Sequence, residues 1–581
     1  MTNTKQNLFS LLACIAIVGV LIGYRISYGK LDTEKPLVVT TYDALGYYIY
    51  LPSTLIYQDA TELEWFPAID SAYQVTGGKL YQANRNTEGN GNYVFKYLGG
   101  VSILQLPFFG IAHGIALSTD YKADGFSPPY QWAMAFGGLF YCLFGLFLLR
   151  LILLKYFNDK VTALTLLLLF LATNIIQYLC IDSAMSHSYI FILYPLLIWY
   201  TIKWHDSPAL KYAAAIGFII GLATICRPTE AIMFVIPLLW NTHTKAARDA
   251  KWKLVWENKT HIIPLALFGI LGILPQLLYW LSVTGSLVYN VGSKWTFLNP
   301  WFRVIFGITN GWFIYTPIAI FMIIGLFFTK DFPFKKSVAT FIILNIWIVI
   351  AWFDWRYGAT YSCRAFVQSS AVFAFPLAAF LTWFDTKKLK WLVYPIGAFL
   401  IYLNLFQIGQ YNDMVLHYYD MNTKYYSKVF LNHSPTPLDM SLLDNADFLD
   451  SEAGYTKNEL INMPDTYAIP ANEGSAMLVD TALDIQASTS DQWIRISLEN
   501  TIDEMIYTGF ITSRVLSPDT VLTNKVRIYH PLTIGKKVNQ QDYYIRIPAG
   551  IAAQRLEVKM EADRTILGSF GKLEVVELAK D

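Results

Sequence analysis

The chain has 581 residues; 54% are hydrophobic, 16% aromatic and only 15% charged. Soluble globular proteins average about 25% charged residues, and mean hydropathy here is +0.37, which argues against an ordinary cytosolic enzyme, a disordered scaffold or a disulfide-rich secreted domain. A formal net charge of +1 leaves no global basic field for nucleic acid.

A helix that crosses a bilayer needs roughly 17 to 25 mostly apolar residues. Apolar runs lie near 8–24, 131–154, 161–180, 188–203, 212–226, 229–241, 262–283, 312–329, 337–353, 365–384 and 391–408, which predicts about eleven transmembrane helices. The first run ends in no small-x-small cleavage site and is followed by Tyr24 and Arg25, so it reads as a retained anchor. Between it and the second run, residues 25–130 form a long loop, polar over 58–96. Its stretch 98–117 is apolar but interrupted by Pro107, Gly110, His113 and Gly114, which predicts an interfacial or re-entrant helix.

Lysines and arginines sort the loops into two sets. Arg150, Lys155 and Lys160, then Lys203 and Lys211, then Lys245 to Lys259, Lys330 to Lys336 and Lys387 to Lys390 fall in one set; the alternate loops are poorer. Cytoplasmic loops carry the excess of Lys and Arg. The N-terminus is therefore expected inside, and residues 25–130 and 409–581 outside.

Beyond residue 410 the pattern changes. Residues 411–474 read as a linker or extension. From 475, Ile494, Ile496 and Leu498 alternate with polar residues, as do Tyr543, Ile545 and Ile547, and Leu556, Val558 and Met560. Period-two alternation between turn-rich stretches predicts an extracytoplasmic β-sandwich over 475–581. The expected fold class is thus a polytopic α-helical membrane protein carrying a C-terminal β-sandwich. The five cysteines, Cys14, Cys142, Cys180, Cys226 and Cys363, have no metal-ligand spacing and read as small buried hydrophobes.

Ionisable groups near a membrane are costly, roughly 2.5–3.5 kcal/mol at a helix centre, so their positions carry information. Four clusters sit at the expected outer face: Asp43 in TTYDALGYYIYLPS, Lys96 in FKYLGG, Asp182 with His187 in CIDSAMSHSY, and Arg227 in ICRPTEA. A looser group holds Asp354, Arg356 and Arg364. Together they suggest one polar cavity in which a carboxylate takes a proton from an acceptor hydroxyl while lysine and arginine hold a phosphate. Arg364 is counted with Lys96 and Arg227 as a phosphate ligand, and Tyr47, Tyr48, Tyr97 and Glu230 as substrate contacts. Each residue also has a plainer role. Asp43 suits the N-cap of a helix starting at Ala44, Lys96 and Arg227 can snorkel to headgroups, and His187 can be a packing histidine. Tyr47, Tyr48, Tyr50, Trp295, Trp301 and Trp312 can form an interfacial belt.

Over residues 5–410 the chain resembles the GT-C superfamily of integral-membrane glycosyltransferases, in particular protein O-mannosyltransferases and lipid A aminoarabinose transferases. The resemblance is carried by YDALGYYIYLPS, KYLGGVSILQLPFF, SAMSHSYIF, GLATICRPTEAI and WRYGATYSCRAF. It implies that Asp43 is the catalytic base, that Lys96 and Arg227 match the lysine and Arg-Pro motifs, and that Asp182 and His187 match the acidic residue and histidine after the third helix.

The expected activity is transfer of a sugar, with inversion, from a polyprenyl-phosphate donor to an extracytoplasmic hydroxyl on a glycan, lipid or protein. The expected setting is a bacterial cytoplasmic membrane, with no cofactor; no Asp-x-Asp ligand pair occurs in the outer loops, so no metal is expected. Two alternatives stay open: a transporter or flippase for a polyprenyl-linked glycan, which would put its charges near the midplane in broken helices, and a non-catalytic glycan-binding membrane protein. Trp493, Tyr543 and Tyr544 are possible sugar-stacking aromatics of the tail, though strand aromatics usually pack in cores.

Overall fold

The computed structural model describes residues 7–28, 37–76, 78–464, 467–468, 475–501, 509–528, 539–562 and 569–580; part of the expected first outer loop, at 29–36, lies outside them. The chain divides into two compact units, Met1–Leu405 and Phe406–Asp581.

The first unit is helical. Five described segments are long and apolar enough to cross a membrane: Leu8–Ser27, Gly100–Leu117, Pro128–Leu153, Lys259–Thr284 and Lys390–Asn412. The other expected spans are shorter or broken, and the breaks have local causes. The run 161–180 is a helix over Asp159–Leu171 followed by a π-helical turn over Ile176–Ile181; between them the Thr173 hydroxyl turns back to the Leu169 carbonyl at 2.6 Å, a bond that competes with the helical ladder. The run 188–203 breaks at Ile192, into Ser186–Phe191 and Leu193–Asp206, because Pro195 has no N–H for the carbonyl four residues earlier. Pro228 opens the run 229–241 as a tight helix over Pro228–Phe234. Hydropathy over a window does not register such breaks. The stretch 98–117, expected as a helix, is one: Gly100–Leu117 runs unbroken with Pro107 inside it.

Glycines allow a close helix contact. A Cβ on Gly217 would lie 2.0 Å from the Leu265 carbonyl oxygen, and one on Gly221 would lie 2.2 Å from that of Gly269. The helices Leu210–Cys226 and Ile262–Thr284 therefore meet backbone to backbone, as small residues permit in membranes. At the end of the first helix the buried Arg25 guanidinium donates to the carbonyls of Cys180, at 3.1 Å, and Ile181, at 2.5 Å. This ties that helix to the turn carrying Asp182.

The segment after the first helix builds its own core. Short helices Tyr42–Tyr48, Tyr50–Leu55 and Phe66–Tyr73 and the hairpin β1 (Ala83–Arg85) with β2 (Tyr93–Phe95) enclose Leu45, Tyr48, Ile49, Phe66, Phe95, Phe109 and Phe126.

The second unit opens with helices Thr423–Val429 and Pro437–Ser441, the latter started by a reciprocal Thr436–Asp439 capping box. Its strands are β3 (Thr456–Met463), β4 (Tyr467–Ala468), β5 (Ser475–Ile485), β6 (Gln492–Asn500), β7 (Phe510–Leu516), β8 (Val521–Arg527), β9 (Asn539–Ile547), β10 (Ala553–Glu561) and β11 (Ser569–Ala579). They form two antiparallel sheets, β5-β10-β7-β8 and β3-β11-β6-β9, with β4 also on β11. The alternating residues fill one core: Ile494, Ile496, Leu498, Tyr543, Ile545, Leu556 and Val558 are all buried in it. The sheet starts earlier than expected, because β3 lies inside 411–474. As an edge strand it is mostly exposed and has no apolar alternation to reveal it. Trp493, Tyr543 and Tyr544 are buried; the Tyr543 hydroxyl meets Ser513 at 2.5 Å and that of Tyr544 donates to Glu452 at 2.9 Å. They are core residues, with no ring face open for a sugar.

Candidate active site

Asp43 lies in the first turn of Tyr42–Tyr48, whose N-cap is Thr41. It is not the N-cap that position alone suggested: the helix begins one residue before it, and its carboxylate turns to other partners. Arg364 donates from Nη2 to Oδ2 at 2.7 Å, and the Tyr97 hydroxyl donates to Oδ1 at 2.6 Å. The carboxylate side chain keeps 29% of its surface exposed and Arg364 keeps 15%, so the pair is largely but not wholly buried.

Several local features hold this arrangement. Gly46 lies three residues after Asp43 and so on the same helical face. A Cβ there would meet the Tyr97 ring at 2.1 Å; only glycine leaves room for the ring to reach the carboxylate. Tyr97 is fixed from behind, its carbonyl accepting from the Tyr50 hydroxyl at 2.7 Å. Gly100 opens the next helix, and a Cβ on it would lie 2.5 Å from the Cys226 nitrogen, so the Tyr97 segment packs directly beside Arg227. On the far side, Tyr178 takes the Tyr361 N–H at 2.7 Å and meets the Thr360 hydroxyl at 2.9 Å, fastening the loop that delivers Arg364. Tyr42, Tyr357 and Ser362 all have left-handed backbone, with φ of 45°, 57° and 55°, a costly conformation for residues with side chains. Strain thus flanks both halves of the Asp43–Arg364 pair.

Burial pushes the Asp43 carboxyl up, but Arg364, the Tyr97 hydroxyl and nearby Arg227 outweigh it and hold the carboxyl below the usual range. Burial, with the Asp43 charge, holds the Tyr97 phenol far above its usual value, so it stays a donor.

The other expected residues divide into three groups. Arg227 is close by: its Nε donates to the Tyr47 hydroxyl at 3.3 Å, and the Tyr47 and Tyr97 rings lie 4.8 Å apart. Lys96 precedes Tyr97; its backbone N–H donates to the Gln82 carbonyl at 2.9 Å, while the Gln82 side chain donates to the Tyr42 carbonyl at 2.9 Å. Its ammonium has no hydrogen bond or ion pair among the described residues. Tyr48, expected to touch substrate, instead points into the core and bonds the Gly125 carbonyl; one residue along the helix from Tyr47, it faces the other way.

Asp182 and His187 do not touch Asp43. Asp182 accepts from the Gln177 amide at 2.9 Å, within electrostatic reach of Arg25 and Arg364; burial outweighs these partners and holds its carboxyl above the usual value. The fully buried His187 bonds through Nδ1 to Gln368 at 2.8 Å, and Gln368 donates to Glu230 at 3.1 Å. Glu230 also accepts from the Tyr194 hydroxyl, and its N–H bonds the Arg227 carbonyl at 2.9 Å. Glu230 is therefore a buried support behind Arg227 and offers no open contact to substrate. Gln368, which joins His187 to Glu230, was not anticipated; the available signal was a lone amide four residues after Arg364, just before the mostly apolar helix Ser370–Asp385.

A cleft of about 880 Å³ lies elsewhere in the segment after the first helix, lined by Glu62, Glu64, Asp70, Arg85 and Tyr93 among others; none of the Asp43 cluster lines it. Among the described residues no group of three His, Cys, Asp or Glu is arranged to hold a metal.

No family model and no curated protein sequence matches the chain. Among solved structures it is similar to ArnT from Cupriavidus metallidurans in the apo state, at 12% identity over 72% of this chain and 68% of that one, with a TM-score of 0.40. It is also similar to the arabinosyltransferase EmbB from Mycobacterium smegmatis, at 11% identity over 96% of this chain and 64% of that one, with a TM-score of 0.37. The VP2 subviral particle of infectious bursal disease virus matches 23% of this chain at 15% identity, with a TM-score of 0.18; the chain spans about a third of the viral protein, 34%. At these scores the chemistry of the site rests on the chain's own residues.

Proposed function

We propose that the chain is a membrane-embedded glycosyltransferase that moves one sugar from a polyprenyl-phosphate donor to an extracytoplasmic hydroxyl of a glycan, lipid or protein, with inversion. The observation that carries this reading is the partly exposed Asp43 carboxylate, paired to Arg364 at 2.7 Å, with Arg227 near enough to lower its pKa; Lys96 directly precedes the Tyr97 that holds the other carboxylate oxygen. A base beside two guanidinium groups is what a hydroxyl attacking a phosphate-linked sugar requires. Asp43 takes the acceptor proton as the acceptor oxygen bonds to the anomeric carbon. The bond from that carbon to the phosphate oxygen breaks on the opposite face, and polyprenyl phosphate leaves with the electron pair, its charge met by Arg364, Arg227 and Lys96.

The ion pair gives Arg364 two duties in turn. While it holds Asp43, the carboxylate is a poor base, because a paired carboxylate gives up its proton too readily. A donor phosphate competes for the same guanidinium and, on binding, frees Asp43 and raises its basicity. The base is thereby armed only when the donor is in place. Asp182 and His187 shape the wall behind the sugar.

The test is twofold: mass spectrometry of extracytoplasmic glycoconjugates from deletion and wild-type cells, and transfer by the purified chain with synthetic polyprenyl-phosphate sugars. A glycan missing in the deletion strain and remade in vitro from the matching donor supports the proposal; an unchanged glycan profile with no transfer from any such donor contradicts it.

A further inference from the structure

The helix Lys245–Glu257 stands apart from the spans. It is started by the Thr244 side chain, which accepts from the Ala247 N–H, and it leads through Lys259–His261 into the long apolar helix Ile262–Thr284. One face turns inward, with Leu254 and Val255 half-buried and Lys251 buried. The Lys251 ammonium donates to the carbonyls of Pro237, Leu238 and Trp240 at 2.7, 2.6 and 2.9 Å. These are the carbonyls that the helix Val235–Leu239 leaves unpaired at its end. With Lys251 locked in this way, the opposite face must point outward.

That outward face carries Trp252 and Trp256, one turn apart and 45% and 72% exposed. Around them lie four exposed cations, Lys245, Arg248, Lys253 and Lys259, against two carboxylates, Asp249 and Glu257. Arg248 pairs with Asp249 at 3.3 Å and Lys253 with Glu257 at 3.9 Å; Lys259 stands 5.0 Å over the Trp256 ring. Exposed tryptophans are costly in water yet favoured at the headgroup level of a bilayer. The apolar face that follows is continuous with them: Ile262, Ile263, Leu267 and Ile270 are 56%, 68%, 60% and 60% exposed.

We infer that Lys245–Glu257 is an interfacial anchor whose tryptophan and lysine face binds the anionic phospholipid headgroups beside the span Lys259–Thr284. The rings settle at the headgroup level, the surplus cations select anionic over zwitterionic lipid, and Lys251 couples this seat to the helix end at Trp240.

The full-length chain in nanodiscs of phosphatidylcholine, with either brominated phosphatidylglycerol or brominated phosphatidylcholine at the same mole fraction, tests this by tryptophan quenching. Part of the quenching should vanish in W252F/W256F. The part that vanishes should be about twofold larger with the brominated anionic lipid, and that excess should disappear in K245Q/R248Q/K253Q/K259Q. Circular dichroism of both variants should match the parent, since every substituted side chain is exposed. Equal quenching of Trp252 and Trp256 by the two lipids would overturn the anionic selectivity. Quenching unchanged in W252F/W256F would overturn the anchor altogether, leaving water or a protein partner on this face.

Discussion

The Asp43 carboxylate and the Arg364 guanidinium meet at 2.7 Å across 321 positions of sequence. Neither reaches the other by chance of packing: Gly46 clears a path for Tyr97 to hold one oxygen, and Tyr178 fastens the loop that brings the arginine to the other.

That pair predicts a pH profile. The Asp43 carboxyl is held below the ordinary aspartate value of about 3.9, so the acid limb of kcat/KM should fall below that value, because kcat/KM reports the free enzyme. R364Q removes the largest of the influences that lower it and should move the limb upward while raising KM for donor. The same sign applies to stability. The contribution of this carboxylate is present above its unfolded value and is lost as pH falls through the folded one. A limb that stays in place in R364Q would separate Arg364 from the base.

Gly46 should tolerate no side chain. G46A drives a methyl into the Tyr97 ring and forces the ring away from Asp43. Overpacking of this kind costs about 1–3 kcal/mol, and activity should drop more than in Y97F, which loses only the hydrogen bond. Parallel kinetics and thermal unfolding of both variants check this; equal activity in G46A and the parent would show that the ring position is immaterial.

Much of this was legible in the sequence, and the rest failed for definable reasons. Asp43, Lys96 and Arg227 stood out because charge is scarce in a chain this apolar. Arg364 was legible as a phosphate ligand, but its pairing with Asp43 was not, since that contact is one no local motif encodes. Tyr48 looked like a site residue because it neighbours Tyr47, but adjacent helical positions face different ways. Gln368 and Tyr194 carry no charge, so nothing marked them as partners of Glu230. In the tail, strands with an apolar inner face announced themselves through alternation, whereas the exposed edge strand β3 did not. Membrane helices were visible as hydropathy, and their interruptions at Thr173, Pro195 and Pro228 were not.

The C-terminal unit makes its own prediction. Arg527 grips Asp444 in a two-pronged pair, Nε to Oδ2 at 2.7 Å and Nη2 to Oδ1 at 2.6 Å, with both side chains mostly buried. D444N removes the charge and one acceptor and should destabilise this unit by about 1.5–3 kcal/mol. Chemical denaturation of the full-length chain, followed by a probe in the sandwich, should show an earlier midpoint; an unchanged midpoint would mean that the pair adds nothing net.

The donor phosphate should depend on the cations unequally. Among the described residues the Lys96 ammonium has no hydrogen bond or ion pair, whereas Arg227 donates to Tyr47, so K96A should raise donor KM chiefly through lost charge and K96R should restore part of it. R227A should raise donor KM and also loosen Tyr47. Steady-state kinetics with donor and acceptor varied separately will distinguish these; acceptor KM should stay near the parental value in K96A.

The most direct test of the central claim is single-turnover transfer by D43N with a synthetic polyprenyl-phosphate sugar. Asparagine keeps the shape but cannot take the acceptor proton. The account predicts a loss on the order of 10²–10⁴ in rate, the usual range for a general base, with donor binding retained. Transfer at the parental rate by a folded D43N would contradict it.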